Sequence, residues 1–300
     1  MSEENETVTT PSCCASCGIA GGDDVKLKNC NGCYLVKYCG VDCQKAHRKQ
    51  HKRACKKRAA ELRDELLFKQ PESSCYGDCP ICCLPLPIDI TKSTLNVCCS
   101  KVICNGCNIT NKKRESEMRL QLSCPFCREP LPKTQEERDK QNMKRIEAND
   151  PVAMREKGTQ QYERGNYSEA FTYWKRAAEL GDAVAHYHLS HLYHFEQGVE
   201  KDTRKEVYHL EEASIGGHPD ARYNLGCDEW GNNNNTERAL KHWIVSATQG
   251  DDRSISSLMK CFKEGFVEKD DLAVALRAHK AAVDATKSPQ RQEAEKFHRD

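Results

Sequence analysis

The C-terminal half of the chain carries a recurring pattern of small, large apolar and glycine positions. Two small residues followed by glycine occur 36 and then 33 residues apart, at Ala177-Ala178-x2-Gly181, Ala213-Ser214-x2-Gly217 and Ser246-Ala247-x2-Gly250. A second signature recurs at the same offsets, at Leu189-Ser190, Leu225-Gly226 and Leu258-Met259. Because two separate signatures agree, the pattern predicts structural repeats over residues 149–285.

Each repeat is predicted to be a pair of helices. Small residues allow close helix crossing, large residues such as Trp174 and Trp243 fill the space between pairs, and each glycine ends a helix in the left-handed conformation. Asp182 and Asp251 are placed to cap the helices that follow, and Pro219 suits a first helical turn. The prediction is an all-α solenoid whose weak fourth repeat, around Leu272 to Ala285, acts as the cap.

This pattern resembles the Sel-1-like repeats, which are relatives of the tetratricopeptide repeats. The resemblance implies a concave face that binds proteins or peptides, so we expect the repeats to serve as a platform for a substrate or partner. Isolated Cys227 and Cys261 are expected to be core thiols. A stripe of four histidines is interpreted as surface or packed imidazoles rather than a metal site: His186, His188, His191 and His194.

Other segments are predicted to connect or flank the domains. Residues 56–74 are expected to form a basic helical linker, helical over Ala59 to Lys69 and ended by Pro71. Residues 133–148 are expected to form a charged helical linker. Residues 1–12 are predicted to be a disordered tail and residues 286–300 a C-terminal tail.

Composition and charge limit the function classes. The net charge is +1, which argues against a globally basic nucleic-acid binder, and no run of 18 apolar residues predicts a membrane span. The N-terminus is acidic and polar, without an apolar signal segment. We therefore expect an intracellular protein, cytoplasmic or nuclear, whose 20 cysteines are mainly metal ligands rather than disulfides.

A basic run lies between residues 45 and 58, with no acidic residue in it. It fits a nuclear signal or nucleic-acid patch, but the favoured interpretation is the solvated face of a helix. Its cations are Lys45, Arg48, Lys49, Lys52, Arg53, Lys56, Lys57 and Arg58.

Four pairs of thiols are concentrated between Cys79 and Cys127. Three of the pairs are Cys-x-x-Cys turns, each of which directs two sulfurs toward one metal ion, so the stretch predicts two four-sulfur zinc sites. The pairs are Cys79/Cys82, Cys98/Cys99, Cys104/Cys107 and Cys124/Cys127.

In spacing, in its two Cys-Pro-x-Cys turns and in the trailing Arg128, this stretch resembles a RING finger over residues 75–132. The resemblance implies interleaved ligation, with one zinc on Cys79, Cys82, Cys104 and Cys107, and the other on Cys98, Cys99, Cys124 and Cys127. Val102 stands where most RING fingers have a histidine, so the resemblance leaves Cys99 as the replacement ligand. Lys101, Lys112 and Lys113 are expected near the thiolates.

The RING resemblance also implies a function. RING-type ubiquitin ligases form no covalent intermediate and grip a ubiquitin-conjugating enzyme through an apolar residue of the first zinc loop and a proline of the last, here Ile81 and Pro125. A basic residue after the last ligand, here Arg128, orients the conjugated ubiquitin. The apolar anchor common on the following helix is missing, since Asn111 and lysines occupy that segment.

A second cluster of metal-ligand residues lies between Cys13 and Cys55, and the run from Tyr38 to Cys55 resembles a MYND finger. The resemblance implies one zinc on Cys14, Cys17, Cys39 and Cys43, and another on Cys30, Cys33, His51 and Cys55. Cys13 is an alternative to Cys14. Arg48 replaces the tryptophan that helps to form the peptide groove of this family.

Taken together, the sequence predicts a multidomain chain. Two small zinc-stabilised α+β domains, a MYND finger at residues 13–55 and a RING finger at residues 75–132, precede the all-α solenoid of helix pairs. Zinc is the expected cofactor, with four ions, two in each finger. One functional hypothesis is a ubiquitin ligase with a ubiquitin-conjugating enzyme and ubiquitin as partners; the alternative is a non-catalytic interaction scaffold or transcriptional regulator.

Overall fold

The computed structural model describes residues 13–296, which divide into two units, one ending at Lys69 and the other beginning at Gln70. The predicted disordered tail, residues 1–12, lies outside the described residues. Within them, no helix combines the length and apolar character needed to cross a bilayer.

The first unit is a small zinc-finger fold followed by one long helix. Strands β1 (Lys28–Asn29) and β2 (Lys37–Tyr38) pair antiparallel, and helix α1 spans Val41–Leu67. Its buried cluster consists of Cys14, Cys30, Cys33 and Tyr38. So little apolar area cannot stabilise a fold alone, which is why domains of this size need a metal. The helical part of the predicted linker is the continuation of α1.

The second unit begins with a finger built on a β-hairpin. Strands β3 (Ser93–Asn96) and β4 (Lys101–Cys104) pair antiparallel with Ser93 opposite Cys104, and helix α2 (Asn105–Glu117) follows at once. The finger's core combines Leu86 and Ile103 with buried cysteine sulfurs. The hairpin therefore brings its two ends, which carry different thiol pairs, into one small domain.

Eight helices then form four antiparallel pairs, as the repeat pattern predicts. The pairs are α4 (Pro151–Glu163) with α5 (Tyr167–Glu179), α6 (Ala183–Phe195) with α7 (Thr203–Ile215), α8 (Pro219–Gly231) with α9 (Thr236–Thr248), and α10 (Asp252–Lys263) with α11 (Lys269–Ala285). Asp182 and Asp251 cap α6 and α10 through their carboxylates. Gly181, Gly217 and Gly250 have φ of +89°, +83° and +97°.

Two flanking segments differ from their predicted roles. The charged linker contains helix α3 (Gln135–Glu147), whose Ile146 is buried in the same core as Met154 and Trp174, so α3 belongs to the solenoid. The predicted C-terminal tail contains helix α12 (Pro289–Lys296), which packs against α2 of the finger. Neither packing arrangement can be inferred from segments so rich in charge, because the few apolar side chains that decide it give no periodic signal.

Candidate metal centres and interaction surfaces

In the first unit the structure gathers eight of the nine candidate ligands into two clusters. Within each, the ligand atoms all lie within 4.8 Å of one another; the clusters are Cys14, Cys17, Cys39 and Cys43, and Cys30, Cys33, His51 and Cys55. His51 and Cys55 lie one turn apart on α1, and His51 Nε2 is 3.1 Å from Cys33 Sγ. Cys13 is exposed and stands outside both clusters.

In the second unit the eight thiols form two clusters that alternate along the chain. One contains Cys79, Cys82, Cys104 and Cys107; the other contains Cys98, Cys99, Cys124 and Cys127. The hairpin explains the alternation, since β4 ends at Cys104 while the turn between β3 and β4 carries Cys98 and Cys99. Ser100, at φ +55°, bends that turn so that both adjacent cysteines face the same site.

The spacing of the sulfurs fits tetrahedral zinc. Four sulfurs about 2.3 Å from a zinc ion are about 3.8 Å from one another. Cys82 and Cys104 have their Sγ atoms 3.8 Å apart, as do Cys99 and Cys124, and Cys17 Sγ lies 3.6 Å from Cys39 Sγ. Cysteine and histidine donors at this spacing suit zinc binding at several sites.

Backbone N–H groups prepare some of these sulfurs for a metal, which binds thiolate rather than thiol. Hydrogen bonds from the backbone of Cys17 and then Cys39 lower the pKa of Cys14 to about 6. A hydrogen bond with the side chain of Cys104 lowers the pKa of Cys79 to about 4, and hydrogen bonds from backbone N–H groups of the first zinc loop act in the same direction. In the same clusters, Cys39 has its pKa raised to about 12, because hydrogen bonds to the side chains of Cys43 and Cys17 favour its thiol form when no cation is present.

The three residues predicted to contact a conjugating enzyme differ in exposure. Ile81 is 43% exposed at the tip of the first zinc loop, and Arg128 is exposed after the last ligand. Pro125 is buried, and the neighbouring Phe126 is instead 44% exposed. The tight turn closed by Arg128 N donating to Cys124 O accounts for this, since it leaves Phe126 at the tip of the last loop.

Polar and cationic groups complete the second finger. Asn111, at the position of the missing apolar anchor, is buried and donates to Ser123 O, while Arg128 Nη1 donates to Asn111 Oδ1 over 3.4 Å. Lys101 lies over the Phe126 ring. A cation in contact with a ligand sulfur is Arg291 of α12, whose Nη2 lies 3.4 Å from Cys82 Sγ. The sequence gives no signal for this contact, which spans 209 residues.

A cleft of about 1410 Å³ lies within the second unit, bounded by the finger and the repeats. The segment from Gln70 to Tyr76 lies along it: Cys75 N donates to Gly217 O over 3.0 Å, and Thr248 Oγ1 donates to Gln70 Oε1 over 2.8 Å. The Tyr76 ring contacts His218, and burial raises the Tyr76 pKa. The repeats thus already hold a non-helical segment of their own chain.

The histidine stripe is mainly involved in packing and pairing. His188 stacks on Trp174, His194 lies 2.7 Å from Glu206, and His186 lies 2.9 Å from His209. None of them joins a metal-binding group among residues 13–296. Cys261 is buried as predicted, but Cys227 is exposed on α8 and is not a core thiol.

The basic run forms an exposed surface on α1. Seven of its cations are solvent-exposed on the helix, namely Lys45, Arg48, Lys49, Lys52, Arg53, Lys56 and Lys57. Arg58 pairs with Glu61 and Glu65 further along the same helix. This agrees with a solvated helix face.

Comparisons with known proteins agree with two parts of this architecture. Residues 14–55 match the family model of the MYND finger, and residues 153–182, 183–218 and 219–251 each match the Sel1 repeat. The protein therefore combines an N-terminal zinc-binding region with an all-helical Sel1 repeat solenoid. Neither match includes residues 75–132. No curated protein matches the chain.

Two solved structures illustrate the likeness. A Sel1 repeat protein from Oxalobacter formigenes is 20% identical, with 60% of this chain and 73% of that chain covered and a TM-score of 0.42. The protein c5321, a protective antigen present in uropathogenic Escherichia coli strains and displaying an SLR fold, is 18% identical. Its alignment covers 55% of this chain and 37% of that chain, with a TM-score of 0.39.

Proposed function

We propose that this protein is a zinc-dependent interaction scaffold whose second finger acts as a RING-type ubiquitin ligase. In this proposal, residues 75–132 recruit a charged ubiquitin-conjugating enzyme, and the MYND finger and repeats select the protein to be modified. The observation that carries the proposal is the alternation of the two four-sulfur clusters along the chain. This alternation fits the interleaved ligation of RING fingers; the two clusters of the first unit alternate as well, so the exposed loop tips described next are needed beside it.

The surface of the finger supports the same proposal. Ile81 and Phe126 are large apolar residues exposed at the tips of the first and last zinc loops, where a partner's apolar side chains can cover them. Contiguous exposed apolar surface marks interaction sites, and the proposal assigns these two loop tips to one such surface. Arg128 offers a planar set of donors suited to orienting a flexible, thioester-linked ubiquitin. Ubiquitin chemistry would assign the protein to the cytoplasm or nucleus.

The test is the discharge of ubiquitin from a panel of charged conjugating enzymes onto free lysine, with the zinc-loaded full chain. We expect the wild type to accelerate discharge, and Ile81→Ala and Arg128→Ala each to lose about tenfold of that effect, since each removes a contact made with the charged enzyme. Ile90→Ala is the matched control, because Ile90 is 67% exposed elsewhere in the finger. Arg119→Ala controls for Arg128, since both are exposed and have positive φ.

A purely structural finger is the second candidate, and a specific observation favours it. Pro125 is buried and the anchor position holds the hydrogen-bonded Asn111, so the surface available to a conjugating enzyme is smaller than in the family. If the zinc-loaded wild type discharges no enzyme of a broad panel, the scaffold is the correct function. Equal losses in Ile81→Ala and Ile90→Ala would likewise contradict the proposed contact surface.

A further inference from the structure

Arg291 lies on α12 near the C-terminal end of the described residues, yet its side chain is only 7% exposed. Nη1 donates to Pro85 O over 2.6 Å and to Thr286 O over 2.7 Å. Nη2 donates to Leu84 O over 3.1 Å and to Cys82 Sγ over 3.4 Å. One guanidinium thus ties the first zinc loop of the second finger to the C-terminal helix.

The backbone of α12 approaches the finger just as closely. A Cβ added at Gly106 on α2 would lie 2.9 Å from Arg291 N and 3.0 Å from the carbonyl carbon of Gln290. No side chain fits in that space, so glycine is what permits the approach. Ala294 is 2% exposed in the same interface, and Lys92 of the finger pairs with Glu295 at 2.9 Å.

The contact between Arg291 and Cys82 places a positive charge beside a site that becomes negatively charged when it holds zinc. Four thiolates around one Zn²⁺ carry a net charge of −2, and a charge of that size in a partly buried site is stabilised by donors to the sulfurs. Arg291 supplies a full positive charge and a directed N–H to Cys82. It also satisfies the carbonyls of Leu84 and Pro85, which hold the loop in the shape that presents Cys79 and Cys82 to the metal.

We propose that Arg291 is a positioning residue for the zinc site of Cys79, Cys82, Cys104 and Cys107, and that α12 is a structural part of the second finger. The C-terminal helix thereby controls how firmly that site retains its metal. The proposal concerns zinc retention, and it holds whether or not the finger takes part in ubiquitin transfer.

The test measures the rate at which each cysteine of the zinc-loaded full chain reacts with N-ethylmaleimide, followed by peptide mass spectrometry. Bound zinc protects its ligands, so the rate reports release. In Arg291→Gln we expect Cys79, Cys82, Cys104 and Cys107 to react about tenfold faster, the lower end of the effect that loss of such supporting hydrogen bonds has on metal affinity. The cysteines of the first unit should keep their rates. Arg277→Gln is the control, since Arg277 is exposed on α11.

Gly106→Ala tests the same contact from the other side, since the added methyl group must displace α12. It should accelerate the same four cysteines, and combining it with Arg291→Gln should give no multiplicative increase, because both changes remove one interaction. The proposal is overturned if Arg291→Gln leaves these rates unchanged. It is also overturned if the rates rise equally at Cys30, Cys33 and Cys55 of the first unit.

Discussion

In two of the repeats a helix glycine packs against a tryptophan ring, and the contribution of this contact to stability can be tested by adding one methyl group. A Cβ at Gly158 on α4 would lie 2.5 Å from both Cδ1 and Nε1 of Trp174 on α5. Gly226 on α8 stands in the same relation to Trp243 on α9, with the nearest atom also at 2.5 Å. Carbon atoms in contact are normally about 3.5–4.0 Å apart, so the ring or the helix must move by about 1 Å.

The sign of Gly158→Ala follows from competing magnitudes. Alanine in a helix interior is better than glycine by about 1 kcal/mol, whereas overfilling a packed core costs about 1–3 kcal/mol. Trp174 Nε1 also donates to Arg155 O over 3.1 Å, and losing that hydrogen bond costs about 1 kcal/mol more. The expected result is a net loss of about 1–3 kcal/mol, or about 4–8 °C in Tm for a loss near 2 kcal/mol.

The assay is urea and thermal unfolding of the zinc-loaded chain, followed by tryptophan emission and far-UV circular dichroism. Gly226→Ala should lose a similar amount. Gly231→Ala is the matched control: it ends α8, and a Cβ there would meet nothing within 4 Å, so its stability should stay within about 0.5 kcal/mol of wild type. If Gly158→Ala is as stable as wild type or more so, close packing against Trp174 is not what the glycine provides.

Two further predictions concern acid and zinc. Burial, and after it the charges of Arg222 and Arg238, lower the pKa of His242 to about 3 in the folded protein. As the pH falls below about 6.5, His242 is therefore protonated in the unfolded chain but not in the folded one, and the folded state loses stability. The loss is about 2 kcal/mol between pH 7 and pH 5, and urea midpoints should show a shallower pH dependence in His242→Gln; an unchanged dependence would show that His242 is not the group responsible. Excess chelator should unfold α1 and α2 but leave the emission of all three tryptophans, which lie in the repeats, unchanged; a red shift in that emission would mean that the repeats need zinc.

Much of the architecture follows from the sequence because its signals are local. Ligand spacing within each Cys-x-x-Cys turn, aspartate caps and glycines at helix ends act over a few residues, and the structure has Asp182, Asp251 and the three left-handed glycines in those roles. The repeat offsets likewise predicted helix pairs, with a weak fourth repeat as the cap. Aligning the repeats also shows residues of complementary size. The first and third repeats pair a glycine with a tryptophan, and the second has Ser190 and Leu210 at the corresponding positions.

Only the tertiary structure decided which distant groups meet. Nothing near Arg291 in sequence indicates that its guanidinium reaches Cys82, because that contact depends on the path of the whole solenoid. The same holds for Ile146 in the repeat core, for the burial of Pro125 and for the exposure of Cys227. Local hydrogen bonding and metal-ligand spacing are determined by residues close together in the sequence. Burial, in contrast, is a property of surfaces that come together from opposite ends of it.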